Sequence, residues 1–237
     1  MGKGKYKGRR ASAFIFDLDG TLVDSGLDIA LSANFTRLHF GLPELPVPTL
    51  KSYVGDGVAQ LLWRSLGHNI HTGLTGPQGL PVDEDRHHEA MAVYADHYGR
   101  HLLDNTRLYP GVLEILARFR NFPLHVATNK PQAFAEDILA GLHIQDAFRK
   151  IVGGDVSPAR KPDLEHLTAC LVGLSVQNNE VVMVGDSPND INAAKNFGAV
   201  SVGCTYGLVP AGTLKTANPD FTIDGMEQLA DLFPSRS

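Results

Sequence analysis

Short apolar segments alternate with amphipathic segments from residue 105 onward, which is the pattern of repeated βα units around a parallel sheet. With one more apolar run near the start of the chain, the predicted strands are 13–18, 123–128, 150–153, 180–185, 200–204 and 221–223. The predicted helices are 111–122, 131–142, 162–174, 188–197 and 225–233. Because a proline in the first helical turn has no N–H to leave unpaired, we place Pro131, Pro162 and Pro188 at helix starts.

Residues 24–105 interrupt this alternation, because they show helical periodicity and no convincing strand. The helical positions that recur are Leu27, Leu31, Phe35 and Leu38, and then Met91, Tyr94, Ala95, Tyr98 and Leu102. A shorter helix is predicted over 58–66, and the glycine- and proline-rich stretch 68–81 is predicted to be a loop. We therefore expect a core domain of residues 11–23 and 106–237 and a helical cap domain of residues 24–105.

The composition suits a folded chain with a substantial core. The chain has 237 residues, of which 43% are hydrophobic and 20% charged, and no tandem repeat is present. The net charge is −5, but five basic residues lie in the first ten positions, so the remainder carries 16 basic against 26 acidic residues. An acidic body disfavours a nucleic-acid-binding face. We expect the basic residues 1–10 to form a disordered tail without a role in function.

No run of apolar residues approaches the roughly 20 needed to cross a membrane, and no signal-peptide core follows the basic tail. Cys170 and Cys204 lie in apolar surroundings without a C-x-x-C spacing, which favours reduced packing residues over a zinc site. We expect a cytoplasmic protein, a monomer or homodimer, whose partner is a small molecule.

Two acids flank one leucine at the carboxyl end of the first predicted strand, in Asp17-Leu18-Asp19-Gly20-Thr21. Taken alone, this segment is also compatible with an Asp- and Gly-rich turn. Polar clusters follow later predicted strands as well, at Thr128-Asn129-Lys130, Arg160-Lys161-Pro162 and Gly185-Asp186-Ser187-Pro188-Asn189-Asp190. Because carboxyl ends of parallel strands share one edge of the sheet, these clusters are predicted to converge. Converging aspartates raise one another's pKa unless a cation neutralises them, which predicts a hard divalent ion such as Mg²⁺.

These clusters, taken in order, resemble the four motifs of haloacid dehalogenase-superfamily phosphatases. The motif positions are Asp17-Leu18-Asp19-Gly20-Thr21, Thr128, Lys161, and Gly185-Asp186 with Asp190. Softer features resemble the phosphoglycolate phosphatase group, namely Val54-Gly55-Asp56-Gly57, Tyr109-Pro110-Gly111, Thr128-Asn129-Lys130-Pro131 and Thr205-Tyr206-Gly207. The resemblance covers nearly the whole chain beyond the tail. It implies an α/β fold with a Rossmann-like, doubly wound parallel sheet and a small inserted helical cap.

The resemblance also implies a role for each site residue. Asp17 would be the nucleophile that forms an aspartyl-phosphate, and Asp19 the general acid and base. The metal would be held by the carboxylates of Asp17 and Asp186 and the backbone carbonyl of Asp19, with Asp190 behind them. Phosphate would be bound by the Lys161 ammonium, by the Thr128 hydroxyl, and by backbone amides near Asn129 and Gly20. Asp56, in the cap, would contact the substrate.

Simpler interpretations stay open at this point. Lys161 is also compatible with an exposed lysine at the start of a helix, and Thr128 with an ordinary threonine at the end of a strand. Asp190 is compatible with a solvated acidic residue in a first helical turn, where the helix dipole favours negative charge. Asp56 equally fits an early acidic residue of a helix. The adjacent His87 and His88 point about 100° apart on a helix, which favours a surface position over a metal site.

The resemblance implies a Mg²⁺-dependent phosphomonoesterase, with 2-phosphoglycolate as the leading substrate. The alternatives are a broader sugar-phosphate phosphatase and a phosphomutase of the β-phosphoglucomutase type. A dehalogenase is disfavoured because the second acid, Asp19, is present. A catalytically silent module is disfavoured because both the nucleophile and the lysine are present.

Overall fold

The computed structural model of this protein describes residues 11–67 and 84–234. The predicted tail 1–10 and the predicted loop 68–81 lie outside the described residues. The chain divides into two compact units, a core unit of Met1–Asp24 with Arg107–Ser237, and a helical insert of Ser25–Thr106.

A six-stranded parallel sheet forms the centre of the core unit, with strand order β5-β4-β1-β6-β7-β8. The strands are β1 Ala13–Phe16, β2 Val23–Asp24, β3 Arg107–Leu108, β4 Leu124–Ala127, β5 Lys150–Val152, β6 Val181–Gly185, β7 Val200–Cys204 and β8 Phe221–Ile223. The pair β2 and β3 forms a separate antiparallel ribbon that the sequence pattern missed, because two residues are too few to show an alternation. The predicted α/β fold with a parallel Rossmann-like sheet is confirmed.

The helices are α1 Gly26–His39, α2 Val47–Lys51, α3 Val58–Ser65, α4 Glu84–Arg100, α5 Val112–Arg118, α6 Gln132–Gly141, α7 Leu164–Leu171, α8 Pro188–Phe197, α9 Ala211–Thr216 and α10 Leu229–Leu232. Short 3₁₀ turns lie at Gln145–Ala147, Asn178–Glu180 and Met226–Gln228. Within the part of the chain that the structure describes, no helix has the length and apolar character needed to span a membrane.

Strand β1 lies at the middle of the sheet, and all four of its residues are buried. Its side chains alternate between the two faces, as the two-residue period of a strand requires. Phe14 stacks on Phe119 with ring centroids 4.5 Å apart, whereas Ile15 belongs to a cluster with Met183 and Leu167. Burial on both faces explains why the strand is a continuous apolar run.

Pro188 occupies the first turn of α8, as predicted, but the other two prolines do not occupy first helical turns. Pro131 precedes α6 as its N-cap residue. Helix α7 begins only at Leu164, because the side chain of Asp163 accepts a hydrogen bond from the Glu165 amide at 2.9 Å and caps the helix there. The placement of Pro162 inside a helix was therefore wrong.

Helix α1 forms where predicted, but the predicted apolar stripe does not face the interior of the insert. Leu31, Phe35 and Leu38 are 44%, 47% and 54% exposed. The buried face instead combines Ile29, Ala30 and Ala33 with polar side chains, two of which bond to the segment after the helix. The Asn34 amide exchanges two hydrogen bonds with the Leu45 backbone, and Arg37 Nε donates to the Pro43 carbonyl at 2.8 Å. Hydrophobic periodicity cannot detect the polar part of such a buried face.

Candidate active site

The site lies at the carboxyl edge of the parallel sheet in the core unit. Strand β1 is flanked by β4 and β6, so Asp17, Thr128 and Asp186 each follow one of three neighbouring strands. The Asp17 amide donates to the Val184 carbonyl at 2.9 Å, and this bond fixes the backbone at Asp17. All three side chains are buried.

Lys161 links two of the carboxylates. Its Nζ lies 2.8 Å from Asp17 Oδ1 and 2.6 Å from Asp190 Oδ1. Burial by itself would lower the pKa of Lys161, but the charges of Asp17 and Asp190 raise that pKa above its ordinary value. Because only 4% of Lys161 is exposed, the surface interpretation is excluded. The structure places a fixed, charged ammonium beside Asp17.

Asp17 itself carries a raised pKa despite this partner. Burial and the nearby charge of Asp190 raise the pKa of Asp17 to about 7, against the lowering effect of Lys161. Among the described residues, its hydrogen-bond and ion-pair partners, the Leu18 amide and Lys161, both contact Oδ1. Oδ2 is therefore available to an incoming electrophile or a cation.

Asp186 is held by the loop that follows β7. Its Oδ2 accepts hydrogen bonds from the amides of Leu208 at 2.7 Å and Val209 at 3.1 Å. A Cβ atom at Gly20 or Gly207 would collide with the Asp186 side chain, and Gly20 also has a φ of +83°. These two glycines therefore make room for the carboxylate.

Asp190 is fully buried, which excludes a solvated surface acid. Its Oδ2 accepts hydrogen bonds from the Ser187 amide at 2.9 Å and the Ser187 hydroxyl at 2.7 Å. The bond from the Ser187 amide is one half of a capping box at the start of α8, in which the Ser187 side chain accepts from the Asp190 amide. Asp190 Oδ1 contacts Lys161. Asp190 thus ties the helix start to the lysine that faces Asp17.

The arrangement fits a hard divalent cation. One carboxylate oxygen each of Asp17, Asp186 and Asp190 lies within 4.8 Å of the others. Burial, followed by the charges of Asp190 and Asp17, raises the pKa of Asp186 well above its ordinary value. Such repulsion between buried carboxylates is relieved when a cation binds, and an all-oxygen donor set is what Mg²⁺ prefers. Among the described residues, Asp186 Oδ1 has no hydrogen-bond partner, so Asp186 and Asp17 each offer one oxygen.

Asp19 is not part of this three-carboxylate group. Its Oδ2 lies 3.0 Å from Nζ of Lys130, a residue to which the sequence assigned no role. The Thr128 hydroxyl oxygen accepts a hydrogen bond from the Lys130 amide at 3.2 Å, which leaves the hydroxyl hydrogen to donate to a ligand. The segment after β4 therefore brings a hydroxyl donor and a second ammonium to the site.

The Asn129 side chain contacts the backbone of Lys161. Its Oδ1 accepts a hydrogen bond from the Lys161 amide at 3.0 Å, and its Nδ2 donates to the Lys161 carbonyl at 3.1 Å. The carboxamide therefore holds the backbone of Lys161. No pattern in the sequence links these two residues, which lie 32 positions apart.

Gly20 lies in the turn that follows β1. Its amide donates to the Val23 carbonyl at 2.8 Å, so the amide is engaged within the turn rather than directed to a phosphate. Gly20 also leaves space for the Asp186 side chain. Phosphate binding by backbone amides near Gly20 stays a prediction.

The structure places Asp56 in the helical insert, where its Oδ2 forms an ion pair with Arg64. His87 stacks on Trp63, whereas His88 is exposed. Cys170 and Cys204 are both free and buried, as expected of packing residues. Tyr206, to which the sequence assigned no role, donates its hydroxyl hydrogen to the Thr21 carbonyl at 3.0 Å.

Comparison with known proteins agrees with this geometry. Residues 14–204 match the family described as haloacid dehalogenase-like hydrolase. The phosphoglycolate phosphatase of Chromobacterium violaceum is 38% identical over 226 residues, which cover 94% of this chain and 97% of that protein. The phosphoglycolate phosphatase of Neisseria meningitidis is 37% identical and covers 92% of this chain and 91% of its own length.

A solved structure is similar as well. The crystal structure of a predicted phosphoglycolate phosphatase from Haemophilus somnus superimposes with a TM-score of 0.85 at 29% identity, covering 94% of this chain and 97% of that one. The parallel sheet with buried carboxylates and a lysine at its carboxyl edge agrees with these likenesses to hydrolases. The chain belongs to the haloacid dehalogenase-like hydrolase family.

Proposed function

We propose that this protein is a Mg²⁺-dependent phosphatase that hydrolyses 2-phosphoglycolate to glycolate and phosphate through an aspartyl-phosphate on Asp17. The observation that carries the proposal is the geometry of the buried Asp17 carboxylate. Its Oδ2 is available to a ligand, and the Lys161 ammonium lies 2.8 Å from its Oδ1. The substrate is supported by two relatives, at 37% and 38% identity, that are phosphoglycolate phosphatases.

In the first half-reaction, Asp17 Oδ2 attacks phosphorus while the ester P–O bond breaks. Asp19 donates a proton to the departing oxygen, so that glycolate leaves as an alcohol rather than an alkoxide. Negative charge spreads over the three equatorial oxygens in the transition state. Lys161 and the Thr128 hydroxyl hydrogen stabilise that charge, because both are already held in place when substrate arrives.

In the second half-reaction, Asp19 accepts a proton from water. The resulting nucleophile attacks phosphorus, the bond between phosphorus and Asp17 breaks, and inorganic phosphate is released with the Asp17 carboxylate restored. Splitting the hydrolysis into two displacements replaces one difficult step with two easier ones.

Asp186 would hold the cation through its available Oδ1, and Asp17 through the carboxylate oxygen that does not attack phosphorus, with the Asp19 backbone carbonyl as a further ligand and Asp190 behind them. When bound, the Mg²⁺ ion supplies positive charge to the phosphoryl oxygens and offsets repulsion among the buried carboxylates. The helical insert is proposed to be a cap domain, in which Asp56 contacts the substrate.

The test is phosphate release from a panel of esters with Mg²⁺ and with EDTA. The panel contains 2-phosphoglycolate, glucose 6-phosphate and β-glucose 1-phosphate. We expect Mg²⁺-dependent release with the highest kcat/KM for 2-phosphoglycolate. Similar low rates on all three esters would contradict the substrate, and conversion of β-glucose 1-phosphate to glucose 6-phosphate would instead support a phosphomutase.

A further inference from the structure

Lys130 is a buried cation whose position the proposed chemistry leaves unexplained. Its side chain is 5% exposed, and its Nζ lies 3.0 Å from Asp19 Oδ2. Lys161, in contrast, contacts Asp17 and Asp190. The two ammonium groups therefore serve different carboxylates, and Lys130 lies beside the acid rather than beside the nucleophile.

The acid marks the side of the site that the leaving group occupies. If Asp19 protonates the ester oxygen, that oxygen lies within hydrogen-bond distance of the Asp19 carboxyl group. An ammonium in contact with the same carboxyl group is then adjacent to whatever the ester oxygen carries. In 2-phosphoglycolate, a single methylene separates the ester oxygen from a carboxylate.

The charge balance of the site favours a counter-ion for that carboxylate. Asp17, Asp19, Asp186 and Asp190 face two ammonium groups, which leaves a formal excess of two negative charges that one divalent cation would cancel. An acidic leaving group adds another negative charge, and burying a charge without a partner is costly. A lysine is a compact charge on a flexible stem, so Lys130 can move from Asp19 to a substrate carboxylate without rebuilding the site.

We propose that Lys130 binds the carboxylate of the substrate and thereby selects phosphate esters of small hydroxy acids over uncharged esters. This inference rests on the proposed function, because it assigns Asp19 to the leaving-group side. The inference assigns the recognition of the substrate carboxylate to Lys130, which belongs to the core unit.

The experiment compares 2-phosphoglycolate with its amide, 2-(phosphonooxy)acetamide, which has nearly the same shape and lacks the carboxylate charge. The measured quantity is the ratio of kcat/KM for the acid to kcat/KM for the amide. Removing one partner of a buried charge pair costs about 2–5 kcal/mol, so we expect Lys130→Met to lower this ratio by at least about thirtyfold. The Lys130→Arg variant keeps the charge and should retain most of the preference.

Two further variants keep the result interpretable. Lys130→Gln retains a hydrogen-bond donor toward Asp19 without the charge, so it tests the proposal if the methionine variant fails to fold. Lys150→Met removes an exposed lysine at the start of β5, whose Nζ contacts the Ala169 carbonyl, and should leave the ratio unchanged.

The outcomes separate this inference from the function on which it rests. A wild-type enzyme that prefers the acid, with the preference lost in the two neutral variants, supports the inference. Equal losses on acid and amide would mean that Lys130 only supports Asp19, and would overturn it. A wild-type enzyme that hydrolyses acid and amide equally well would also overturn it while leaving the phosphatase chemistry intact. Release of phosphate from no ester would overturn the proposed function as well.

Discussion

Asn129 supports the site through the backbone of Lys161. Its carboxamide makes two hydrogen bonds to that backbone, and both residues are buried. The Lys161 side chain must meet Asp17 and Asp190 together, so its position depends on where its backbone is held. Small displacements of a transition-state-stabilising cation have large effects on rate.

We therefore expect Asn129→Ala to lower kcat by about 10- to 100-fold with a smaller change in KM. The two unsatisfied backbone groups should also cost about 1–3 kcal/mol in the free energy of unfolding. Steady-state kinetics and urea denaturation measure both effects. The control is Asn178→Ala, which removes one exposed hydrogen bond to the Phe197 carbonyl and should leave kcat unchanged. An unchanged kcat in Asn129→Ala would contradict the supporting role.

At the scale of elements, the loop after β7 fixes one proposed metal ligand. Two successive amides of this loop hold Asp186, and Gly207 lies against the same side chain. A methyl group at Gly207 would collide with the Asp186 side chain and displace it, whereas Gly212 in α9 has open space around it.

Gly207→Ala is accordingly expected to raise the Mg²⁺ concentration for half-maximal activity at least about tenfold, because mispositioning of a hydrogen-bonded metal ligand typically costs that much affinity. The measurement is phosphate release as a function of Mg²⁺ concentration. Gly212→Ala serves as the matched control with an unchanged requirement. The same Mg²⁺ dependence in both variants would show that Gly207 does not constrain Asp186.

Strand β4 carries a buried histidine that makes stability depend on pH. Neither ring nitrogen of His125 has a hydrogen-bond partner in the described part of the chain, and burial lowers its pKa to about 4. The unfolded chain binds the proton with a pKa near 6.5. Between these two pKa values the protein takes up a proton at His125 when it unfolds. The contribution of the neutral His125 to the free energy of unfolding is therefore complete above about pH 6.5 and is lost as pH falls toward 4.

We expect His125→Phe to reduce the loss of unfolding free energy between pH 6.5 and pH 5 by about 2 kcal/mol relative to the wild type. Burial also lowers the pKa of His166 to about 4, so the variant should keep the part of the pH dependence of stability that comes from His166. Urea denaturation at the two pH values measures the difference. Identical pH dependence in wild type and variant would refute the assignment to His125.

The sequence predicted the elements of the core unit better than the packing of the insert, and the reason is physical. The strands are continuous apolar runs because both sheet faces are covered, and β7 and β8 have the predicted bounds. Helix α1 was located, but its buried face was not, because Arg37 and Asn34 are buried through backbone partners that no hydrophobic pattern reveals. Helix α2, with five residues, was missed because it is too short for a periodic signal.

For the whole molecule, strand order explains why the site could be anticipated. With β1 between β4 and β6, residues from 17 to 190 converge at one edge of the sheet, as parallel topology requires. Strand order could not predict the contacts that depend on side-chain conformation or on the local turn. Lys130 contacts Asp19 whereas Lys161 contacts Asp17, the Asn129 side chain bonds to the Lys161 backbone, and the Gly20 amide donates to the Val23 carbonyl.

The central claim is that Asp17 is the nucleophile of a metal-dependent phosphatase. The most direct measurement is phosphate release from 2-phosphoglycolate by the wild type and by Asp17→Asn, with Mg²⁺ and with EDTA, after circular dichroism has shown that both are folded. We predict release by the wild type only with Mg²⁺, and a rate for Asp17→Asn lower by at least about 10³-fold. Near-wild-type release by Asp17→Asn, or undiminished wild-type release in EDTA, would contradict the claim.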